Sequence, residues 1–150
     1  KLTVDYPSPE ELLTIIDRTT GNDTGALEPV VTTDQIADIG SFVREIVTSE
    51  TVRRYAVDLI YATHPRHERV PTEVRDFVRY GSSPRGAQSL ILAGRFYALL
   101  DGRLHTAPED VQRALKPSLR HRIVLNFRGE AEGVRIDEII DSITDSVEVQ

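Results

Sequence analysis

An apolar run at positions 87–100, opened by the segment Gly81-Ser82-Ser83-Pro84-Arg85-Gly86, constrains the fold of this chain most. Ser82 or Ser83 can cap a helix, Pro84 suits its first turn, and Gly102 is a typical stop signal. Apolar side chains occupy nearly the whole circumference of the resulting helix. The pattern therefore predicts a buried central helix about 25 Å long.

Helical signals recur along the rest of the chain. Capping boxes are predicted at Ser8 with Glu11, Thr32 with Gln35, and Thr106 with Glu109, and Ser49 is predicted to cap another helix. A last amphipathic helix is predicted at 135–147. These signals together predict an all-α fold, a helical bundle of about six to seven helices.

The segments between the predicted helices are less regular. Alternation at 1–6 predicts a short strand, residues 19–29 a loop, and residues 76–80 a short helical turn. Pro117 is predicted to interrupt a helix that restarts at 118–123. Residues 124–127 fit either a strand or buried coil, and residues 129–133 predict a turn.

Composition narrows the functional classes. The 150 residues carry a net charge of −6, which argues against nonspecific binding of nucleic acid by the chain as a whole. Cysteine is absent, so disulfides and thiolate metal sites are excluded and a reducing compartment is allowed. No apolar run approaches the roughly 20 residues of a membrane span. Methionine is also absent, and we expect the chain to be a piece of a longer protein.

Arg85 is the main candidate for a functional side chain. A cation in the first turn faces the positive end of the helix dipole, which costs up to about 1 kcal/mol. Free amides together with a guanidinium suit an anion such as phosphate. Alternatively, Arg85 pairs with a nearby carboxylate or points into water. The spacing of Gly81 and Gly86 does not make a P-loop, because Ala87 follows where lysine is required.

Two other polar clusters could have either a structural or a functional role. The basic cluster (Arg113, Lys116, Arg120, His121 and Arg122) fits a solvated helix face, or a surface for an acidic neighbour or nucleotide phosphates. His64, His67 and Glu68 could contribute to a metal site, but the spacing supplies no further ligand and predicts none.

Several segments, in this order, resemble the helical C-terminal lid of MoxR-type AAA+ ATPases, and they cover nearly the whole chain. They are the segment at 4–11, Tyr80 to Arg85, Gly102-Arg103 with the segment 106–111, and Leu119 to Ile123. At 81–86 the family commonly has Gly-Ala-Ser-Pro-Arg-Ala, so this chain departs from it at Ser82 and Gly86.

The resemblance implies that residues 1–7 end an AAA+ core and that residues 8–150 form its lid. It implies that Arg85 is the sensor-2 arginine, a catalytic residue that contacts the ATP phosphates together with Ser83 and Pro84. The P-loop and the Mg²⁺-binding carboxylates are missing from this sequence. We therefore expect ATP and Mg²⁺ to bind the full-length protein, and this chain alone neither to bind ATP tightly nor to hydrolyse it.

The same resemblance implies a cytoplasmic chaperone that remodels client proteins. Its expected partners are its own AAA+ core, neighbouring subunits of a hexamer, and a protein carrying a von Willebrand A domain, with no nucleic acid. The alternative is a free-standing helical module that binds proteins, or binds DNA through a helix-turn-helix using the basic cluster. The net negative charge counts against the DNA-binding alternative.

Overall fold

The structure, a computed structural model, describes residues 1–21 and 28–149. Its contacts divide the chain into two units, Leu2–Asp38 and Ile39–Gln150, with Lys1 grouped with the second. Most of the loop predicted at 19–29 lies outside the described residues. Among the helices of the described part, none is long and apolar enough to cross a membrane.

The first unit contains helix α1 (Pro9–Thr20) and the start of α2 (Thr33–Glu45). Both predicted capping boxes are present. The Ser8 amide donates to the Glu11 carboxylate at 2.8 Å, and the Thr32 amide donates to Gln35 Oε1 at 2.8 Å. The predicted strand at 1–6 is wrong, because no strand among the described residues pairs with it and a lone strand lacks a ladder.

The second unit carries the remaining elements in this order: β1 (Val47–Thr48), α3 (Glu50–Tyr61), α4 (Thr72–Phe77), β2 (Val78–Tyr80), α5 (Pro84–Leu100), β3 (His105–Thr106), α6 (Pro108–Leu119), β4 (Val124–Leu125), α7 (Phe127–Ala131) and α8 (Ile136–Ser146). β1 pairs in parallel with β3, and β2 pairs antiparallel with β4. The all-α prediction is confirmed, with eight helices in the described ranges.

The core of the second unit is built from one face of each major helix. α3, α5, α6 and α8 meet there, with α4 packed at the side. Its largest fully buried apolar side chains are Tyr55, Leu59, Val74, Leu90, Val111, Leu115, Leu119, Ile139, Ile140 and Ile143. The buried isoleucines of α8 follow the predicted helical spacing, so that helix is confirmed within one residue at each end.

The predicted break at Pro117 is wrong, since α6 runs through it to Leu119. A proline inside a helix removes one amide donor, here close to the end of the helix. Burial of Leu119, whose side chain is fully enclosed, holds the last turn in place.

The structure also shows which secondary structure three shorter segments adopt. The apolar run at 124–127 supplies strand β4, while the predicted turn at 129–133 lies mostly in α7. Of the helical turn predicted at 76–80, only the first two residues are helical, and the rest form β2. For β2 and β4, pairing between the two strands decided what local periodicity could not.

α5 has the predicted bounds but is not buried all round. The residues on its enclosed face recur every four positions: Gly86, Leu90, Gly94 and Ala98. A second stripe with the same spacing is open, with Leu92 and Phe96 each 41% exposed and Leu100 59% exposed. The expectation of a helix enclosed on every side is therefore wrong for this chain.

Gly102 ends α5 as predicted. Its φ is +73°, in the left-handed region, and its amide donates to the Leu99 carbonyl at 2.9 Å. The Arg103 amide donates to the Ala98 carbonyl at 2.8 Å. These two bonds form a Schellman motif, which requires a residue that tolerates positive φ.

Substituting Gly102 with valine should lower the free energy of unfolding by about 1 kcal/mol or more, because a β-branched residue is strained at this φ. Gly102→Asn is the matched control and should cost less, since asparagine tolerates the left-handed region. Nothing lies within 4 Å of a Cβ built on Gly102, so steric overlap does not contribute. Chemical denaturation compares the three proteins, and equal stabilities would contradict the assignment.

The start of α6 differs from the predicted capping box. Thr106 does not cap the helix, because its hydroxyl is hydrogen-bonded to the Thr48 hydroxyl at 3.1 Å. The Asp110 carboxylate instead accepts the Ala107 amide at 2.8 Å and both terminal nitrogens of Arg103, each at 2.7 Å. The hydrogen bond from Arg103 lowers the pKa of Asp110, against the opposing effect of burial.

Asp110→Asn should lower the free energy of unfolding at neutral pH by about 1–3 kcal/mol, because the buried charge-assisted contacts are weakened. A carboxyl whose pKa is lowered on folding stabilises the protein above its unfolded-state pKa of 3.8. That contribution is lost as the pH falls through the lower folded-state pKa. The difference between parent and variant should therefore shrink below about pH 4 in urea titrations.

Asp141→Asn is the matched control, because Asp141 forms an ion pair with Lys116 and its side chain is 57% exposed. Exposed ion pairs contribute at most about 1 kcal/mol. If Asp110→Asn lowers the free energy of unfolding no more than the control does, the buried carboxylate has no special stabilising role.

Candidate functional site at the start of α5

The candidate site is the loop between β2 and α5. Pairing of β2 with β4 fixes the residues before the loop, and α5 begins at Pro84 as predicted. Ser82 is fully buried, whereas Ser83, Pro84 and Arg85 are exposed. The three residues predicted to contact phosphate thus lie together on the surface of the second unit.

The predicted side-chain cap is absent. Ser83 occupies the capping position, but its hydroxyl accepts no helix amide. The Ser83 carbonyl accepts the Gly86 amide at 2.7 Å, so a backbone bond already uses that donor. The Ser83 hydroxyl is consequently left available at the surface beside the first turn.

The Arg85 guanidinium has no hydrogen-bond or ion-pair partner in the part of the chain that the structure describes. The alternative in which it pairs with a carboxylate finds no support there. Its guanidinium lies on the first turn of α5, at the positive end of the helix dipole. An unpaired cation beside that dipole end favours an anionic ligand.

A second arginine, Arg122 in the segment after α6, supports this turn. Ser89 donates its hydroxyl hydrogen to the Arg85 carbonyl at 2.8 Å, and Arg122 donates to the Ser89 hydroxyl at 3.1 Å. Arg122 also donates to the Ser118 carbonyl at 2.9 Å. The segment 119–123 is thereby joined to the first two turns of α5, which the sequence did not reveal.

Ser82 and Gly86 fit each other. A Cβ placed on Gly86 would overlap the Ser82 hydroxyl and lie 2.9 Å from Ile60 Cδ1. The two departures from the pattern Gly-Ala-Ser-Pro-Arg-Ala therefore compensate for one another in space. The added hydroxyl at Ser82 fills the volume that an alanine side chain at Gly86 would occupy.

Gly86→Ala should lower the free energy of unfolding by about 1–3 kcal/mol through this overlap, although alanine favours a helix. Adding Ser82→Ala should recover at least half of the loss, giving a coupling of about 1 kcal/mol or more. The measurement is a double-mutant cycle by urea denaturation. Gly40→Ala is the control, because Gly40 is also in a helix and has room for the added methyl group. Additive changes in the free energy of unfolding for the substitutions at Ser82 and Gly86 would contradict the proposed steric compensation.

Much of the basic cluster is neutralised within the protein. Arg120 forms a two-pronged pair with Asp137, at 2.7 Å for each bond, and Lys116 approaches Asp141 to 2.7 Å. Two further members are engaged differently: Arg113 stacks on Tyr97 near Asp101, and Arg122 bonds to Ser118 and Ser89. The cluster therefore fits the structural explanation better than a phosphate-binding surface.

The two histidines of the α3–α4 connection are engaged separately. His64 Nε2 lies 2.9 Å from the Ser82 carbonyl oxygen, and the His67 ring lies beside Tyr61 with centroids 5.4 Å apart. Within the described residues no group of three potential ligands is placed to hold a metal ion.

Comparison with known proteins gives a consistent result. Residues 70–143 match the family described as an AAA lid domain. The chain is 32% identical to chaperone MoxR1 of Mycobacterium tuberculosis over 98% of its own length, and 40% identical to the MoxR protein of Paracoccus denitrificans over 52% of it. A crystal structure of a candidate ATPase from Cytophaga hutchinsonii matches 98% of this chain with 26% identity and a TM-score of 0.82.

Each of these proteins is longer than the matched region. The chain spans 39% of the Mycobacterium chaperone, 24% of the Paracoccus protein and 45% of the Cytophaga chain. The similarity therefore concerns one part of each relative.

Proposed function

Since the chain is a lid region of the MoxR-type AAA+ ATPases, we propose that Arg85 acts as the sensor-2 arginine of the ATPase and contacts the ATP phosphates. The observation that carries this proposal is the Arg85 guanidinium on the first turn of α5, at the positive end of the helix, which pairs with no carboxylate of the described residues. A cation in that locally unfavourable place is better explained by a ligand than by stability.

The chemistry of the surrounding groups fits a polyphosphate. A planar guanidinium can donate two parallel hydrogen bonds to phosphate oxygens, and the exposed Ser83 hydroxyl can donate another. Pro84 supplies no amide but fixes the backbone at the first helical position. ATP with Mg²⁺ supplies the phosphoryl group when bound, and the AAA+ core would hold most of both.

In this proposal Arg85 stabilises negative charge on the transferred phosphoryl group. The same contact links nucleotide state to the position of the lid, because loss of the phosphate removes the contact. The lid would transmit that change to chaperone-like remodelling of client proteins in the cytoplasm.

The proposed partners are the AAA+ core of the same chain, neighbouring subunits of a hexamer, and a protein carrying a von Willebrand A domain. An open apolar groove between α3 and α5 supports docking onto the AAA+ core. Its cavity measures about 470 Å³, and Val57 and Leu92 line it while remaining 43% and 41% exposed. Because the chain spans less than half of its longer relatives, a further part of the ATPase would cover this groove.

The alternative of a DNA-binding module has little support. A DNA reader needs cations free to contact phosphates, whereas Arg120, Lys116 and Arg113 are paired with carboxylates of this chain. The net charge of −6 adds to that argument.

Arg85→Ala in the full-length ATPase should slow ATP turnover by about tenfold to a hundredfold without lowering the melting temperature. A charge-assisted contact to phosphate is worth about 1.5–3 kcal/mol, and each 1.4 kcal/mol is tenfold in rate. Arg85→Lys should restore only part of the rate, because the planar fork is lost. Steady-state hydrolysis and thermal denaturation are measured on the same preparations.

Arg79→Ala is the matched control, since Arg79 is an exposed arginine just before the loop that lies over the Tyr80 ring. It should leave turnover within about twofold, as expected for a surface substitution. If Arg85→Ala unfolds the lid while turnover per folded molecule stays unchanged, Arg85 is structural and the proposal is wrong.

A further inference from the structure

The backbone of Ser82, three residues before Arg85, is held at both of its polar groups by two residues that follow α3. The Ser82 amide donates to Thr63 Oγ1 at 2.9 Å, and the Ser82 carbonyl oxygen lies 2.9 Å from His64 Nε2. A carbonyl oxygen only accepts, so His64 must carry a proton on Nε2. Two consecutive residues thus take both backbone groups of one loop residue.

The Thr63 hydroxyl both donates and accepts a hydrogen bond in this arrangement. It donates to the Ile60 carbonyl at 2.6 Å, which leaves its oxygen to accept the Ser82 amide. Thr63 and Ser82 are both fully buried, so water cannot replace either bond. The bonds therefore fix the distance between the end of α3 and the loop.

Gly81 completes the contact. A Cβ built on Gly81 would lie 2.6 Å from both the carbonyl oxygen and the hydroxyl oxygen of Thr63. Such a distance is shorter than any side chain permits, so the two backbones can meet only with glycine at this position. This close approach explains the glycine at the first position of the loop.

Side-chain bonds do not fix the direction of the residues predicted to contact phosphate. The Ser83 and Arg85 side chains make no hydrogen bond or ion pair with the described residues, and Pro84 is exposed. The direction in which the Arg85 side chain leaves the backbone is therefore set by the bonds on Ser82 and by the start of α5. A small shift of Ser82 would move the guanidinium by a comparable distance.

We propose that Thr63 and His64 are positioning residues, which hold the 81–83 loop so that Arg85 reaches its ligand. This inference rests on the proposed function of Arg85. Misplacement of a catalytic group by about 1 Å can cost up to a hundredfold in rate, so a partial loosening should produce a measurable loss.

His64 gives the cleaner test, because its side chain is only half-buried and its bond to the loop can be removed without opening the core. In the full-length ATPase, His64→Ala should lower kcat by about threefold to tenfold and leave KM for ATP within about twofold. His64→Gln should restore most of kcat, since its amide nitrogen can donate to the same carbonyl. His67→Ala is the matched control and should leave kcat unchanged.

Thr63 tests the buried bond. Thr63→Val keeps the shape but removes the hydroxyl, whereas Thr63→Ser keeps it. We expect Thr63→Val to lower both the melting temperature and kcat, and Thr63→Ser to recover most of kcat. A normal kcat in folded Thr63→Val would overturn the role of Thr63.

Combination with Arg85→Ala separates this inference from the proposed function. If His64 acts through Arg85, adding His64→Ala to Arg85→Ala should cause no further loss of kcat. If Arg85→Ala slows turnover and His64→Ala alone does not, the positioning inference is wrong while the proposed function stands. If Arg85→Ala has no effect on turnover, the proposed function itself fails. Independent, additive losses would also overturn the inference, because His64 would then act by another route.

Discussion

The close approach of α5 to α6 is the contact on which the rest of the second unit depends. The close approach is possible because three of the four residues on the buried face of α5 are small, namely Gly86, Gly94 and Ala98. Only Leu90, between Gly86 and Gly94, has a large side chain. A Cβ on Gly94 would already lie 3.1 Å from the Thr106 side chain and 3.5 Å from that of Val111. Small side chains shorten the distance between helix axes and increase the number of dispersion contacts on both sides. Once these helices are fixed, Leu119 at the end of α6 lies near Gly86 in the first turn of α5, and Arg122, just after α6, reaches Ser89 in the second. The loop before α5 then has a defined place.

Local signals in the sequence predicted the helices well, because capping and helical periodicity act over a few residues. Ser8, Thr32, Ser49 and Gly102 behave as their types suggest, and α5 and α8 have bounds close to those predicted. The errors come where distant residues intervene. Thr106 is taken by Thr48 rather than by its own helix, and the segment at 1–6 has strand composition without a partner strand.

The candidate site likewise contains residues that local sequence signals predict and residues that only contacts between distant positions reveal. Arg85 and its exposed neighbours could be chosen from sequence, because a cation in the first turn of a helix departs from the usual preference. Thr63 and His64 could not, since a threonine and a histidine nearly twenty positions earlier carry no local sign that they bind the backbone of Ser82. The glycine at Gly81 was visible, but its reason required the position of the Thr63 carbonyl.

The pairing of β1 with β3 has a consequence for the order in which the second unit folds. The Thr48 and Thr106 hydroxyls are 58 residues apart in sequence, so this short ladder closes a long loop that contains α3, α4 and α5. Closing a loop of that length costs roughly 3–4 kcal/mol in chain entropy, more than two residue pairs can offset by themselves. The ladder should therefore form after α5 and α6 have packed and brought its strands together. We therefore expect the helical core to bring β1 and β3 into parallel register, and the ladder not to act as a folding nucleus.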